Sequence, residues 1–429
     1  MFNNLKPILI SLSPNVQRDD LWLAFKLLFQ PWKWKEGSSV EKLEEEFKNY
    51  LDLDYSFSFN SGRSAFLAIL ESLDLKEGEV LLQGFTCNAA VNPVLEAGLK
   101  PIYVDIDDTL NMDVSDLKKK IGKKSKVVVA QHTFGNPANL EEIKEVCEKH
   151  NLILIEDCAH SLGAQVPSVP ENSSRPPQTQ NNKGRKVGSF GKAAFFSLGR
   201  DKVISSVYGG VAVTDDPVMG ERIKKYHSEF KMPGAFWIFQ QLLHPLLTTL
   251  AKPFYGFGQL GRYFLGGLQK VGVLSKSVAE EEKEGRLPSN FPTKIPNALA
   301  KLGLNQFNKL EEFNSHREAI ADFYNKNLSD LNVELPADSN RIFMRYSLLT
   351  PKDTDEILNK AEKNKIFLND GWRKKPVVPP DTELRKVNYA WGVCPQAEQV
   401  AEEIINLPTH PNITLNKAQR IVNFLKDNL

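Results

Sequence analysis

Short apolar runs and longer amphipathic stretches take turns along the first half of this chain. Residues 40–51, VEKLEEEFKNYL, carry apolar side chains at helical spacing and predict an amphipathic helix. Residues 55–60, YSFSFN, read as a strand, and 64–73, SAFLAILESL, return to helical spacing. The alternation continues with a strand over 79–86, a short helix over 88–98 and a strand over 100–107. SDLKKKI then opens a helix with Ser115 as its cap, followed by a strand over 125–135 and a helix over 139–151. In NLILIEDCAH, 151–160, four aliphatic residues run straight into Glu156 and Asp157. Such a run predicts a strand buried on both faces, and an unpaired acid at its end would be expensive, so Asp157 demands a partner. AAFFSL (193–198) and GGVAVTDD (209–216) are two further strand-like runs, and NQFNKLEEFNSHREAIADFYNKNL (305–328) reads as one long helix leading into a smaller α/β domain.

Strand and helix alternating at this spacing predict an α/β chain built on a mostly parallel sheet. In such sheets ligands sit outside the carboxyl ends of the strands, where Asp157 and the NSGRSA turn fall. Two segments interrupt the pattern: a Pro- and Ser-rich stretch over 165–186, read as an exposed loop, and an apolar insertion over 230–278. The resulting division is an N-terminal segment (1–36), a large cofactor-binding domain (37–229), a helical insertion (230–288), and a helix with a small C-terminal domain (289–429). A formal charge of +1 over 429 residues gives no pull toward nucleic acid. Cys87, Cys147, Cys158 and Cys394 form no CxxC pair, so neither a metal site nor a disulfide framework is expected, which fits the cytoplasm. The N-terminus has neither a basic start nor a small-residue cleavage site, so no signal peptide is read there.

The chemistry gathers at three places. Lys202 lies in the connection between two strand-like runs, Asp157 ends a buried strand, and a Ser/Gly turn opens a helix at Gly62. Together they are the parts a pyridoxal phosphate site needs: an amine for the aldehyde, a carboxylate for the ring nitrogen, and helix N–H groups for the phosphate. The ordered set NSGRSAFLAIL, QGFTCNAAVNPVLEAGLKPIYVDID, HTFGNPANLEEI, ILIEDCAHSLGA, VGSFGKAAFFSLGRDKVISSVYGGVAVTDD and CPQAEQVAEEIINLPTHPNIT resembles the DegT/DnrJ/EryC1/StrS family of sugar aminotransferases. The resemblance implies the fold-type I, aspartate-aminotransferase-like architecture, pyridoxal 5'-phosphate as cofactor, and Lys202 as the lysine that bonds it. It implies Asp157 at the pyridine nitrogen, His160 near the ring's phenolic oxygen, and Gly62, Arg63, Ser64 and Ser197 around the phosphate. It further implies a nucleotide-sugar substrate, an amino-acid donor such as glutamate, and a homodimer.

Departures from the family pattern carry their own expectations. Cys87 stands where an aromatic usually covers the cofactor ring, and Phe85 either compensates or is core. Tyr208 replaces an acid. PTKI (292–295) replaces the segment that crosses the dimer, with Lys294 as stand-in for its arginine. His132 either touches the cofactor or substrate or only caps its strand. Two other readings stay open. A sugar dehydratase would carry histidine in place of Lys202, and an idle homologue would serve a regulatory or scaffold role.

The insertion has no acidic residue between Glu229 and Glu280, while Lys231, Lys252, Arg262, Lys270 and Lys276 make it +5. Its pattern is a short apolar helical pair with aromatics, too polar and broken for a membrane span. It either packs on the protein or lies through 232–275 on the cytoplasmic face of an anionic membrane.

Overall fold

The computed structural model describes residues 6–166, 184–276, 278–288, 291–336 and 341–429. Most of the predicted 165–186 loop lies outside those residues; its described ends, Gln165–Val166 and Arg185–Lys186, pair antiparallel. At the N-terminus Ile8–Leu9 runs parallel to Ile366–Phe367, so the start of the chain joins its C-terminal part. Helix α1 (Arg18–Leu28) buries Ala24 and Leu27.

Seven strands build the central sheet: β1 (Tyr55–Phe59), β2 (Glu79–Gln83), β3 (Lys100–Val104), β4 (Ser125–Gln131), β5 (Ile153–Asp157), β6 (Ala193–Ser197) and β7 (Gly210–Thr214). Their order is β1-β7-β6-β5-β4-β2-β3. β7 is antiparallel to both its neighbours, and the other neighbouring pairs are parallel, so six strands run one way. The carboxyl ends of β1, β4, β5 and β6 therefore share one edge with the first residue of β7. Val127, Val128, Val129 and Ala130 in β4 are buried in succession, as expected for a strand covered on both faces. Helix α2 (Gly62–Ser72) is buried along nearly its whole length, with Phe66 stacked on Phe195 of β6 at 4.5 Å.

Three sequence expectations are corrected. The strand over 79–86 stops at Gln83, and Thr86–Cys87 leaves the sheet to pair with Val377–Val378. A Cβ on Gly84 would sit 2.7 Å from the Cβ of Cys394, so the chain passes a distant segment there that no local pattern reveals. The cap of Val114–Lys120 is Asp113 rather than Ser115; its carboxylate accepts from the Ser115 N–H and hydroxyl. The long helix over 305–328 is two, Asn297–Phe307 and Leu310–Leu328. Between them the Lys309 ammonium turns to Asp19 and Asp20 at 2.7 and 3.1 Å, a pull from far along the chain.

The insertion forms α3 (Ala235–Ala251), a 3-10 turn at Lys252–Gly256, and α4 (Leu260–Lys270). One face of α3, including Ile238 and Leu242, joins the main apolar core. No helix among the described residues is long and apolar enough to cross a membrane. A second apolar cluster gathers around the antiparallel pair Tyr346–Leu349 and Ile404–Leu407 and takes in Ile8.

Candidate active site

At the shared strand edge lies a cavity of about 230 Å³. Gly62, Arg63, Cys87, Asp157, His160, Ser197 and Lys202, all singled out from the sequence, line it together. Ser64, Phe85, Lys294 and His132 do not.

The turn from β1 into α2 forms one wall. The Ser61 hydroxyl caps α2 by accepting from the Ser64 N–H at 3.1 Å. A Cβ on Gly62 would lie 2.9 Å from the Ser197 Cβ, and one on Gly210 would lie 2.2 Å from the Ser61 carbonyl carbon. Both glycines thus let the helix N-terminus close down on β6 and β7, leaving a cup for an anion. The Ser64 hydroxyl turns away and donates to Asn60 at 2.8 Å, so Ser61 faces the cavity in its place. Arg63 pairs with the buried Glu282 and lies over the Phe291 ring at 5.0 Å.

The two acids that end β5 point to different tasks. Glu156 is fully buried behind the cavity. It accepts from the N–H groups of Gly188, Phe190 and Gly191, each at 2.7 Å, and meets His132 Nε2 at 3.3 Å. Burial alone pushes its carboxyl up, but the His132 contact and these N–H groups outweigh that and hold it below its ordinary value. His132 Nδ1 accepts from the Ala138 N–H at 3.0 Å, so Nε2 carries the proton, and this histidine is a strand-end strut outside the cavity. With Cys158 these two residues form a trio of metal-ligating types within 4.8 Å, but the carboxylate is already occupied.

Asp157 faces the cavity. Burial raises its pKa, offset in part by the Ala159 N–H at 2.9 Å and by Lys202. Lys202 sits in the connection between β6 and β7, with its carbonyl held by Asn15 at 2.6 Å. Burial lowers the pKa of its ammonium, and Cys87 and Asp157 counter that. His160 has a buried Nδ1 with no hydrogen-bond partner, and burial, followed by Lys202, holds it well below its ordinary pKa, so the ring is neutral. It lies flat on Phe134 at 5.6 Å and edge-on to Trp372 at 4.9 Å.

Sequence reasoning missed several lining residues, among them Ser61, Gln131, Asp370 and Trp372; Trp372 arrives from the far end of the chain with no local signal. Phe85 is fully buried behind it at 5.5 Å, in the core rather than against the cavity. Its expected alternation with Cys87 fails because the strand breaks between them. Lys294 is at the surface of its own chain, 3.3 Å from the Ser228 carbonyl.

The insertion reaches the cavity too. Tyr208 lines it and donates to the Lys276 carbonyl at 2.5 Å. Arg200 lies over the Tyr208 ring at 5.0 Å and donates to Ser275 and Gln241 at 2.6 and 3.2 Å. These partners are distant in sequence, which is why the departure at Tyr208 had no visible compensation.

The donor set fits pyridoxal phosphate. A glycine-closed helix N-terminus suits its phosphate, a buried carboxylate its ring nitrogen, a buried amine its aldehyde, and the unpartnered His160 nitrogen its ring oxygen.

The model of the DegT/DnrJ/EryC1/StrS aminotransferase family matches residues 20–237 and 267–426, on either side of the insertion's centre. GDP-perosamine synthase of Escherichia coli O157:H7 is 26% identical over 89% of this chain and 88% of its own. UDP-N-acetyl-3-dehydro-alpha-D-glucosamine 3-aminotransferase of Acidithiobacillus ferrooxidans is 23% identical over 96% and 94%. Among solved structures, Helicobacter pylori PseC, an aminotransferase of pseudoaminic acid biosynthesis, superposes with a TM-score of 0.73 at 21% identity, covering 98% of this chain and 99% of its own.

Proposed function

The chain belongs to the DegT/DnrJ/EryC1/StrS aminotransferase family, and from that premise we propose that it moves an amino group, from glutamate as first candidate, to a keto group of a nucleotide-linked sugar. Enzymes of this family depend on pyridoxal phosphate, which supplies an electron sink for the carbon that loses its proton. In this reading Asp157 keeps the ring nitrogen protonated. Lys202 Nζ would hold the cofactor at rest and, once free, would serve as the group that moves a proton at the reacting carbon. The α2 N-terminus, with the N–H groups of Gly62 and Arg63 and the hydroxyls of Ser61 and Ser197, would hold the phosphate. His160, being neutral, offers its ring oxygen one hydrogen bond without adding charge. Trp372 and Tyr208 keep water from the cavity.

The observation that carries the reading is that Lys202 and Asp157 share one buried cavity, each countering part of the other's burial shift. The names of relatives acting on GDP- and UDP-linked sugars support the substrate class. The test is borohydride reduction of the holoenzyme followed by peptide mass mapping, with a screen of nucleotide-linked keto-sugars read by mass. The cofactor's mass should appear on Lys202 alone; its appearance on another lysine, or on none, would refute the assignment. We also propose a homodimer in the cytoplasm, with Lys294 reaching toward the second site and residues 232–275 resting on a membrane face.

A further inference from the structure

Seventeen large apolar side chains are exposed among the described residues, and thirteen of them fall in two segments, α1 with the turn after it and the insertion. Trp22, Phe25 and Phe29 recur on one face of α1, opposite the buried Ala24 and Leu27. Their rings follow one another at 5.9 and 5.1 Å, and Trp32 continues the line. A helix that only covers a core has one apolar face; this one has two. Beyond its end Trp34 meets Phe239 of α3 at 6.3 Å, and the second helix of the insertion exposes Leu260, Tyr263 and Phe264.

The charges around the exposed rings are one-sided, the two acids of α1's first turn, Asp19 and Asp20, being paired with Lys309. The whole chain is +1, yet residues 21–35 hold Lys26, Lys33 and Lys35 and no acid, and residues 230–279 hold five basic residues and no acid. Exposed tryptophan, tyrosine and phenylalanine interleaved with lysine and arginine suit the headgroup level of an anionic bilayer. A two-fold contact with a second copy would set these like charges against themselves.

We propose that the outer face of α1 and the outer face of the insertion form one surface that docks on anionic lipid. This deepens the membrane reading of residues 232–275 and does not depend on which sugar is aminated. The surface is tied to the cavity wall through Arg200 with Gln241 and Tyr208 with the Lys276 carbonyl, so docking fixes the cavity's position relative to the lipid.

The test is co-sedimentation of the full-length holoenzyme with equimolar phosphatidylcholine–phosphatidylglycerol vesicles and with pure phosphatidylcholine vesicles, at low and high salt. Two variants accompany it: Trp22→Ser/Phe25→Ser/Phe29→Ser and Lys26→Glu/Lys33→Glu/Lys35→Glu. Binding should require the anionic lipid, weaken with salt, and fall by about tenfold or more in each variant. Cofactor absorbance, turnover of soluble substrate and mass by light scattering should stay unchanged. Absence of binding to anionic vesicles would overturn the proposal. Undiminished binding by both variants would remove α1 from the surface. A drop in mass of the aromatic variant would assign the ridge to a second copy instead.

Discussion

Replacing Glu156 by glutamine isolates the role of the first acid in the Glu156–Asp157 pair. Oε1 accepts from the Phe190 and Gly191 N–H groups, and a glutamine oxygen can keep those two bonds. Oε2 accepts from the Gly188 N–H at 2.7 Å and faces His132 Nε2 at 3.3 Å. In the variant an amide NH₂ would face both, donor against donor. His132 cannot resolve the conflict by moving its proton, because Nδ1 would then face the Ala138 N–H it now accepts from. Hydrogen bonds to a buried charge contribute about 1.5–3 kcal/mol each, and two of them, from the Gly188 N–H and His132 Nε2, are lost. The expected loss is therefore about 3–6 kcal/mol. The assay is urea unfolding of wild type and Glu156→Gln, with cofactor content and turnover measured at low denaturant, where both should persist. The pH dependence is signed. A carboxyl held below its unfolded value of 4.5 adds stability that is complete above that pH and is lost as pH falls through the folded value. The gap between wild type and variant should thus be full at neutral pH and shrink in acid. A variant whose midpoint matches wild type at neutral pH would refute the reasoning.

The neighbouring Asp157→Asn should behave the opposite way: folding retained, since burial disfavours the carboxylate's charge, but turnover lower by about two to four orders of magnitude because an amide cannot hold the ring nitrogen's proton; full activity in a steady-state assay would sink its assigned role. Lys202→Ala should fold normally yet lose both the bound cofactor's absorbance and turnover. Gly210→Ala would push a methyl to 2.2 Å from the Ser61 carbonyl carbon, so cofactor retention on gel filtration should collapse; unchanged retention would mean the α2 cup is not the phosphate site. Light scattering should report a dimer, and an active monomer at assay concentration would refute the homodimer.

The sequence by itself determined the alternation of strand and helix, the sheet, and the cavity's reactive residues, Lys202 and Asp157 among them. Those features rest on periodicity and on strand ends, both local: a buried run such as 152–155 and the acid after it are adjacent in the chain, and sheet geometry carries the carboxyl ends of the six parallel strands to one edge. Only the tertiary structure divided the labour between Glu156 and Asp157, because alternation places them on opposite faces but says nothing of what waits there. It likewise decided that Ser61 rather than Ser64 faces the cavity, because the Ser64 hydroxyl is drawn to Asn60, a partner the local pattern does not reveal. Trp372 and the clasp of Arg200 on Gln241 and Ser275 come from segments far apart in sequence, and a break after Gln83 sent Phe85 into the core. The helix over 18–28 went unread in the sequence, and that Trp22, Phe25 and Phe29 stand opposite the buried Ala24 and Leu27 only the fold could choose.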